Sequence, residues 1–501
     1  MARLAAAAAV LVVGGSLAEC RFQGRPQLTV RRAGFGKSSR GLSGGGDSTG
    51  GSGGVGSANV RQLREKAIDS GGSSESRTLP GSKPTYDGPP VAVVGGGLAG
   101  LACGLALRRL GVRAAIFDTG KRAPGGRASS KTFKRQGCTH IVDHAAQAFT
   151  AQGPEIRALV EEMEQEGVVQ QWRGRVGSLS NTGQFTPRDE TREGPLWIGS
   201  SSTGMAAVPT WLAAEQEVFQ DVWVAKLEPV RGAPGAGWVL KTPKGKQLGE
   251  GRYSYVVMAH NGKCADRLIN TLPEKTVAHA PLRCKFTAKA SPTSDRLELS
   301  SLWVCILAVP RGSSPASFDG AFVESHAVLS WAGNNSAKYP RPQTGQSDVD
   351  VWTLISTAPY GSKNKCSQEF IPPEVRTKVS EEMRNAFCTL LGAPGVADSC
   401  EVLHMQLWGA AVPLNVCQQH FVHDAEARVG ICGDWLTAPS VEGAMFSGLA
   451  LADAVARELR GESLPSTPAQ PFKSWAGKAT GDFGGINARL LASAAVDSAL
   501  S

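Results

Sequence analysis

Three hydrophobic regimes follow one another between residues 91 and 118. Val91-Ala92-Val93-Val94 is an unbroken apolar run rich in β-branched residues, the pattern of a strand buried on both faces. It breaks into Gly95-Gly96-Gly97. Leu98, Leu101, Ala102, Leu105 and Leu110 then recur at helical spacing, and Gly111 marks the stop. Val112 to Phe117 is a second apolar run, ended by Asp118. The order predicts a β-α-β unit. Further on, Pro154 to Gly167 predicts a helix with Ile156, Leu159, Val160 and Met163 on one face. Strands are expected from Gln170 to Leu179 and Gly194 to Ile198, with another helix opening at Thr203-Gly204-Met205. Val222 to Leu227 alternates as a strand, with Gly237 to Leu240 as its hairpin partner, and Tyr255 to Ala259 is again apolar. Leu282 to Pro310, Phe318 to Trp331 and Val351 to Ser356 read as strand-rich, and Glu374 to Leu391 as an amphipathic helix. Val429 to Trp435 predicts a short strand, followed by a helix from Val441 through Leu459.

These elements predict an α/β protein whose nucleotide-binding domain is interrupted and resumed. The expected divisions are 89–150, 219–280 and 411–460 for the nucleotide domain, with 151–218 and 281–410 forming a second domain on an antiparallel sheet. Trp303, Trp331 and Trp352 fall in that second domain. Core packing is their expected role, with stacking on an aromatic substrate as the alternative.

Chemistry gathers at both ends of this body. In Gly95, Gly96, Gly97, Leu98, Ala99 and Gly100, the first glycine suits a tight turn and the third lets backbone approach a pyrophosphate. Gly100 lets the helix pack closely on the sheet. Asp118 stands where a carboxylate can accept ribose hydroxyls. Gly125, Gly126 and Arg127 offer a flexible turn with a guanidinium able to neutralise phosphate, or an ordinary exposed turn. Asp143, His144 and Gln147 lie within a small, apolar segment, as beside a ligand or in a satisfied turn. Near the C-terminus, Gly433-Asp434 ends a strand, and Val441, Glu442, Gly443 and Ala444 begin a helix. Its N-terminus carries partial positive charge.

The net charge of +9 is unevenly spread: +6 falls in residues 1–90 and only +3 in the rest, with no basic stripe interleaved with aromatics. Nucleic acid is not expected as a partner. Arg3 precedes an apolar run from Leu4 to Val13, and Ser16-Leu17-Ala18 offers a cleavage site, so 1–18 reads as a signal peptide. Arg21 to Arg40 holds six basic residues and no acid, as in a transit segment. Gly41 to Pro90 is a Gly/Ser-rich linker, giving 19–88 as transit segment and linker. The expectation is a plastid protein with a two-part leader, the alternative a secreted one, and no membrane span once processed. Residues 461–501 read as a tail. Eleven cysteines without a C-x-x-C pair suit a reduced compartment. Cys417, His420 and His423 have zinc-like spacing but no second cluster, so no metal is expected.

Gly95 to Gly100, Asp118, Gly125-Gly126-Arg127 and Gly433-Asp434 through Ala444 together resemble the glutathione-reductase-like flavoproteins, among them flavin amine oxidases and renalase. Asp143-His144-Ala145-Ala146-Gln147, Gln171-Trp172 and Gly204-Met205 resemble renalase-type oxidoreductases. Ala259-His260-Asn261-Gly262, Leu407-Trp408-Gly409-Ala410-Ala411 and Cys432-Gly433-Asp434-Trp435 are similar to a plant and algal branch of FAD/NAD(P)-binding oxidoreductases. The resemblance spans residues 89–460. It implies a glutathione-reductase-like FAD-binding Rossmann domain with an inserted α+β substrate domain, and non-covalent FAD. It also implies hydride transfer from a small-molecule substrate to flavin N5 with reoxidation by a second acceptor, and NAD(P) possible as a substrate. Asp434 would then hold ribityl or ribose hydroxyls, with the Val441 helix aimed at the ring. Gln147 and Val224 complete the expected cofactor set, and Lys338 is the candidate for a lysine holding water at N5. His260-Asn261 stands where many amine oxidases carry a proline-containing segment. The alternatives are a non-catalytic flavin-binding interaction protein and an NAD(P)-only dehydrogenase.

Overall fold

The computed structural model describes residues 30–32, 86–230, 236–249, 251–340 and 347–475. The expected signal peptide, the linker up to residue 85 and the tail from residue 476 lie outside them. Within the expected transit segment, Val30–Arg32 is described as a strand.

Two sheets of seven strands organise the body. The first runs in the order Val30–Arg32, Glu217–Gln220, Ala114–Phe117, Val91–Val94, Tyr255–Met258, Val429–Ile431 and Val422–Asp424. All neighbours are parallel except the last pair. Successive side chains point to opposite faces of a strand. Val91, Val93, Ile116 and Val257 therefore meet one core layer with the helices Leu98–Arg109 and Val441–Leu459. Ala92, Val94, Phe117 and Met258 face another, beneath the helix Gly262–Ile269 and the hairpin of Lys226–Pro229 with Trp238–Lys241. The two long helices cross at Gly448, where a Cβ would collide with the Ala99 carbonyl. Leu98–Arg109 is pinned to the first turn in the same manner, because a Cβ on Gly100 would strike the Gly95 carbonyl.

One expected strand begins later than its alternation. Val222 to Leu227 alternates in burial at Val222, exposed Trp223 and Val224. Its last residues open the strand Lys226–Pro229, which pairs with Trp238–Lys241 as the expected hairpin, while Val222 to Ala225 is the connector leading into it. The Val222 N–H donates to Asp118 O and the Ala225 N–H to Lys241 O. The strand in the sheet is Glu217–Gln220, whose polar ends hid it from a hydrophobic pattern.

The second sheet runs Glu401–Trp408, Leu302–Pro310, Val349–Ser356, Leu329–Asn334, Gly320–Val323, Val176–Leu179 and Phe185–Pro187. Only the pair Gly320–Val323 with Val176–Leu179 is parallel. The helix Pro373–Leu390 covers one face through Val379, Met383 and Phe387, against Trp303 and Trp352. The other face, with Val304, Ile306 and Trp331, joins the core layer of the first domain. All three tryptophans are at most 1% exposed and serve as core. No helix among the described residues is long and apolar enough to cross a membrane.

Candidate functional site

A cleft of about 240 Å³ crosses the carboxyl ends of the parallel strands. Open parallel sheets bind ligands along this edge. Its wall contains Gly95, Gly96, Gly97, Leu98, Ala99, Asp118, Gly125, Gly126 and Arg127 from the first part of the chain. Gly433, Asp434, Val441 and Ala444 join from the last part.

Each glycine of the first turn has a different task. Gly95 takes φ +121°, and a Cβ there would lie 2.8 Å from the Ala259 carbonyl. A Cβ on Gly96 would meet Asp118, whose Oδ1 accepts the Gly96 N–H at 3.3 Å. At Gly97 a Cβ would meet nothing within 4 Å. It would project into the cleft, so the space beside this backbone belongs to a ligand. Asp118 is half-buried at the wall. Burial pushes its carboxyl above the ordinary value, against the pull of the Gly96, Gly120 and Thr119 amides.

The second turn docks on the first: Gly125 N–H donates to Gly96 O at 2.7 Å, with Gly125 at φ +126° and Gly126 at +53°. Arg127 leaves this turn to reach the C-terminal part. Its guanidinium donates to Ala411 O at 2.8 Å and to both carboxylate oxygens of Asp434, each at 2.9 Å. The expected division of labour changes here. Arg127 is a clamp between the two ends of the site, and Asp434 is held by it in a two-pronged ion pair.

The helix Val441–Leu459 opens at the cleft. Ser440 caps it by accepting the Gly443 N–H at 2.8 Å, so Gly443 serves the cap. Glu442 turns away from the cleft. Its Oε1 accepts the Gln152 and Gly153 N–H groups at 2.6 and 2.7 Å and caps the helix Pro154–Gln165 from outside. Burial pushes its carboxyl up. Val224 is buried in the core layer below the sheet and Gly100 in the helix–turn contact, both off the cleft wall.

Gln147 and Lys338 lie one layer behind the wall residue Ala146, in a buried polar hub around Asp143. Asp143 is 0% exposed. Its Oδ2 pairs with Lys338 Nζ at 2.8 Å and accepts from Tyr339 Oη at 2.7 Å. Its Oδ1 accepts from Ser130 Oγ and the Met205 N–H at 2.6 and 2.9 Å. Gln147 Nε2 donates to the Asp143 and Ala145 carbonyls. Lys338 spends its remaining donors on Gln147 O and Oε1 at 3.0 and 3.3 Å. An ammonium has three protons, and all three are engaged inside the protein. Lys338 therefore does not hold a water at a flavin in this arrangement. Asp143 and Gln147 form a satisfied structural junction, whereas the Nδ1 of His144 between them has no partner in the protein.

His260, Asn261, Trp408, Ala410, Ser440 and Trp435 also line the cleft. Most belong to stretches quoted for family likeness, but neither motif nor spacing assigned them a task. His260 Nδ1 lies 2.9 Å from Val94 O, which can only accept, so Nδ1 carries the proton. Burial pushes the His260 pKa down, keeping the ring neutral with Nε2 as an acceptor. The indole N–H of Trp435 is buried against Gly433 and has no acceptor in the protein. No group of three or more His, Cys, Asp or Glu among the described residues is placed to hold a metal.

Residues 93–163 match the family model for an NAD(P)-binding Rossmann-like domain, so the chain carries such a domain. Among solved structures, the chain is similar to a double mutant of putrescine oxidase with redesigned cofactor binding. Identity there is 13%, covering 73% of this chain and 98% of that one, with a TM-score of 0.47. It is also similar to p-nitrophenol 4-monooxygenase from Pseudomonas putida, at 16% identity, 75% and 81% coverage and TM-score 0.45. A fatty acid isomerase from P. acnes aligns at 10% identity, 73% and 98% coverage and TM-score 0.48.

Proposed function

We propose that this protein is an FAD-dependent oxidoreductase acting on a small molecule, with FAD held non-covalently. One observation carries the reading: a single cleft joins the Gly95–Gly97 turn and Asp118 to Asp434 and the N-terminus of the Val441 helix. A mononucleotide needs only the first half of that site, whereas an extended dinucleotide uses both. The residues fit such a group. The open space at Gly97 accommodates a pyrophosphate, Asp118 offers a ribose acceptor, and the buried Trp435 N–H offers a donor. The helix N-terminus favours the electron-rich edge of a reduced ring. When bound, FAD supplies hydride chemistry, while the chain supplies position, charge and exclusion of water.

The finer reading, a renalase-like or amine-oxidase-like enzyme of a plant and algal branch sent to the plastid, is supported by the quoted motifs and by the basic, acid-free segment from Arg21 to Arg40. The match to an NAD(P)-binding domain model favours a second reading, a dehydrogenase using NAD(P) alone. The absorption spectrum of the purified full chain separates the two. Oxidised-flavin bands that bleach under anaerobic addition of a reduced nicotinamide or an amine support the first. A colourless protein that binds NAD(P)H and gains nothing from added FAD supports the second.

A further inference from the structure

The hairpin of Ser130–Arg135 with Cys138–Asp143 pairs Lys131 with Val142 and Phe133 with His140. Lys131, Phe133 and Arg135 therefore share one face, and His144 continues it diagonally from Lys131. That face runs along the edge strand Glu401–Trp408. Arg135 pairs with Glu401, the Phe133 ring meets His404 at 6.4 Å, and the His144 ring stands edge-on to Trp408 at 5.7 Å. Trp408 is also part of the cleft wall, and its indole N–H is tied to His144 O at 3.2 Å. The strip thus leads from the surface to the proposed cofactor site.

Its two ends differ in charge. At the outer end Arg135 has both Glu401 and Asp348. At the inner end Lys131 is half-buried and makes no ion pair among the described residues. The nearest carboxylate in sequence, Asp143, points to the other face of the hairpin, where Lys338, Tyr339, Ser130 and the Met205 amide occupy both its oxygens. His144 is 5% exposed and its Nδ1 has no partner; the buried Nε2 of His404 has none either. Folded proteins leave few such atoms unpaired. A lone ammonium beside the unpartnered His144 Nδ1 calls for a group with acceptor oxygens.

We propose that this inner end is a substrate-headgroup site for the carboxylate of a planar, carboxylate-bearing molecule, with Trp408 as the apolar wall toward the cleft. Lys131 supplies the counter-charge. His144, kept neutral by burial and by Lys131, has one ring proton to direct at a carboxylate oxygen from its unpartnered Nδ1, while His404, whose ring hydrogen-bonds Gln406, contributes wall rather than a donor. A substrate presenting an ammonium group would meet Lys131, with Arg122 close behind it, and be repelled. The assignment rests on the flavin reading only for which end of the molecule lies at the reacting ring.

Benzoate is a suitable probe and benzylamine its cationic counterpart, each titrated calorimetrically into the full chain after its flavin content has been measured. Benzoate should bind saturably, lose at least tenfold in affinity in Lys131→Met and keep most of it in Lys131→Arg, while benzylamine should not displace it. Lys131 is only half-buried, so an unchanged melting curve will show that Lys131→Met still folds. Equal benzoate affinity in wild type and Lys131→Met, no benzoate binding by wild type, or tighter binding of benzylamine overturns the proposal. The two readings fail separately. Lys131-dependent benzoate binding by a protein that takes up no flavin leaves this site standing and removes the cofactor. A flavin-loaded protein that ignores benzoate does the reverse.

Discussion

Arg127 and Asp434 are 307 residues apart in the chain, yet the guanidinium of one meets both carboxylate oxygens of the other, with both contacts at 2.9 Å. Asp434 is nearly buried and Arg127 about a quarter exposed. A paired, charge-assisted contact of this kind contributes roughly 1.5–3 kcal/mol. Asp434→Ala should therefore lower stability without cofactor by about that amount. It should also weaken FAD binding, because the two halves of the cleft are no longer held in register. Thermal shifts measured across an FAD titration check both parts. A mutant with wild-type melting temperature and an unchanged FAD response would show that the clamp matters to neither.

Gly97 permits the opposite kind of experiment. A Cβ there would meet no protein atom within 4 Å and would open onto the cleft. Gly97→Val should leave the apoprotein's melting temperature within about 1 °C of wild type, since neutral sites cost within roughly 0.5 kcal/mol, while abolishing flavin retention on purification. Full flavin content in the valine variant would place the pyrophosphate elsewhere.

Sequence and structure agree most where a backbone constraint is local. The Gly95–Gly97 turn, Asp118, Gly125-Gly126 and Gly433 could all be picked out because each glycine answers to its immediate neighbours, and the structure brings these residues to one wall. Side-chain partnerships were not legible. Nothing in the sequence ties Asp143 to Lys338 or Glu442 to Gly153, since each pair joins residues far apart in the chain. A buried ion pair has no periodicity. The alternation of Val222 to Leu227 found the hairpin with Trp238–Lys241 but began its strand too early, because the connector Val222 to Ala225 crosses a core edge and buries every second side chain as a strand does.

Lys338 and Asp143 define a third test. Both side chains are at most 1% exposed. Breaking a buried pair from one side costs about 3–5 kcal/mol, because the other charge is stranded. Asp143→Ala should lose stability on that scale in urea denaturation, and the double variant Asp143→Ala with Lys338→Met should recover part of it. If Lys338 instead acted at the flavin, Lys338→Met would keep its denaturation midpoint and lose flavin reduction by substrate.

His144 supplies a pH dependence. Burial, reinforced by Lys131, pushes its pKa from the ordinary 6.5 down to about 3. In the unfolded chain the ring takes up a proton below pH 6.5, while in the folded protein it stays neutral until about pH 3. The unfolded state then binds more protons in this window, so stability falls as pH drops through it, by at most about 1.4 kcal/mol per pH unit from this residue. His144→Phe should flatten that part of the stability profile and leave the profile above pH 7 parallel to wild type. Superimposable wild-type and variant slopes between pH 6 and 4 would mean that the ring titrates freely in the fold.

The order of the parallel strands sets a timetable for biogenesis. Val429–Ile431 pairs with Tyr255–Met258, and the helix Val441–Leu459 must lie across Leu98–Arg109 at Gly448. When Arg127 leaves the ribosome its partner carboxylate is still 307 residues from being made. At about 5–20 residues per second the wait is roughly 15–60 s. During it the β-α-β unit exposes the helix surface that the last helix will cover, and the second sheet is synthesised in the interval. Loading of the proposed cofactor therefore belongs to the finished chain, and any nascent or prematurely ended product stopping before residue 429 has half a cradle and an uncovered apolar flank. Such products are natural clients for chaperones and proteases.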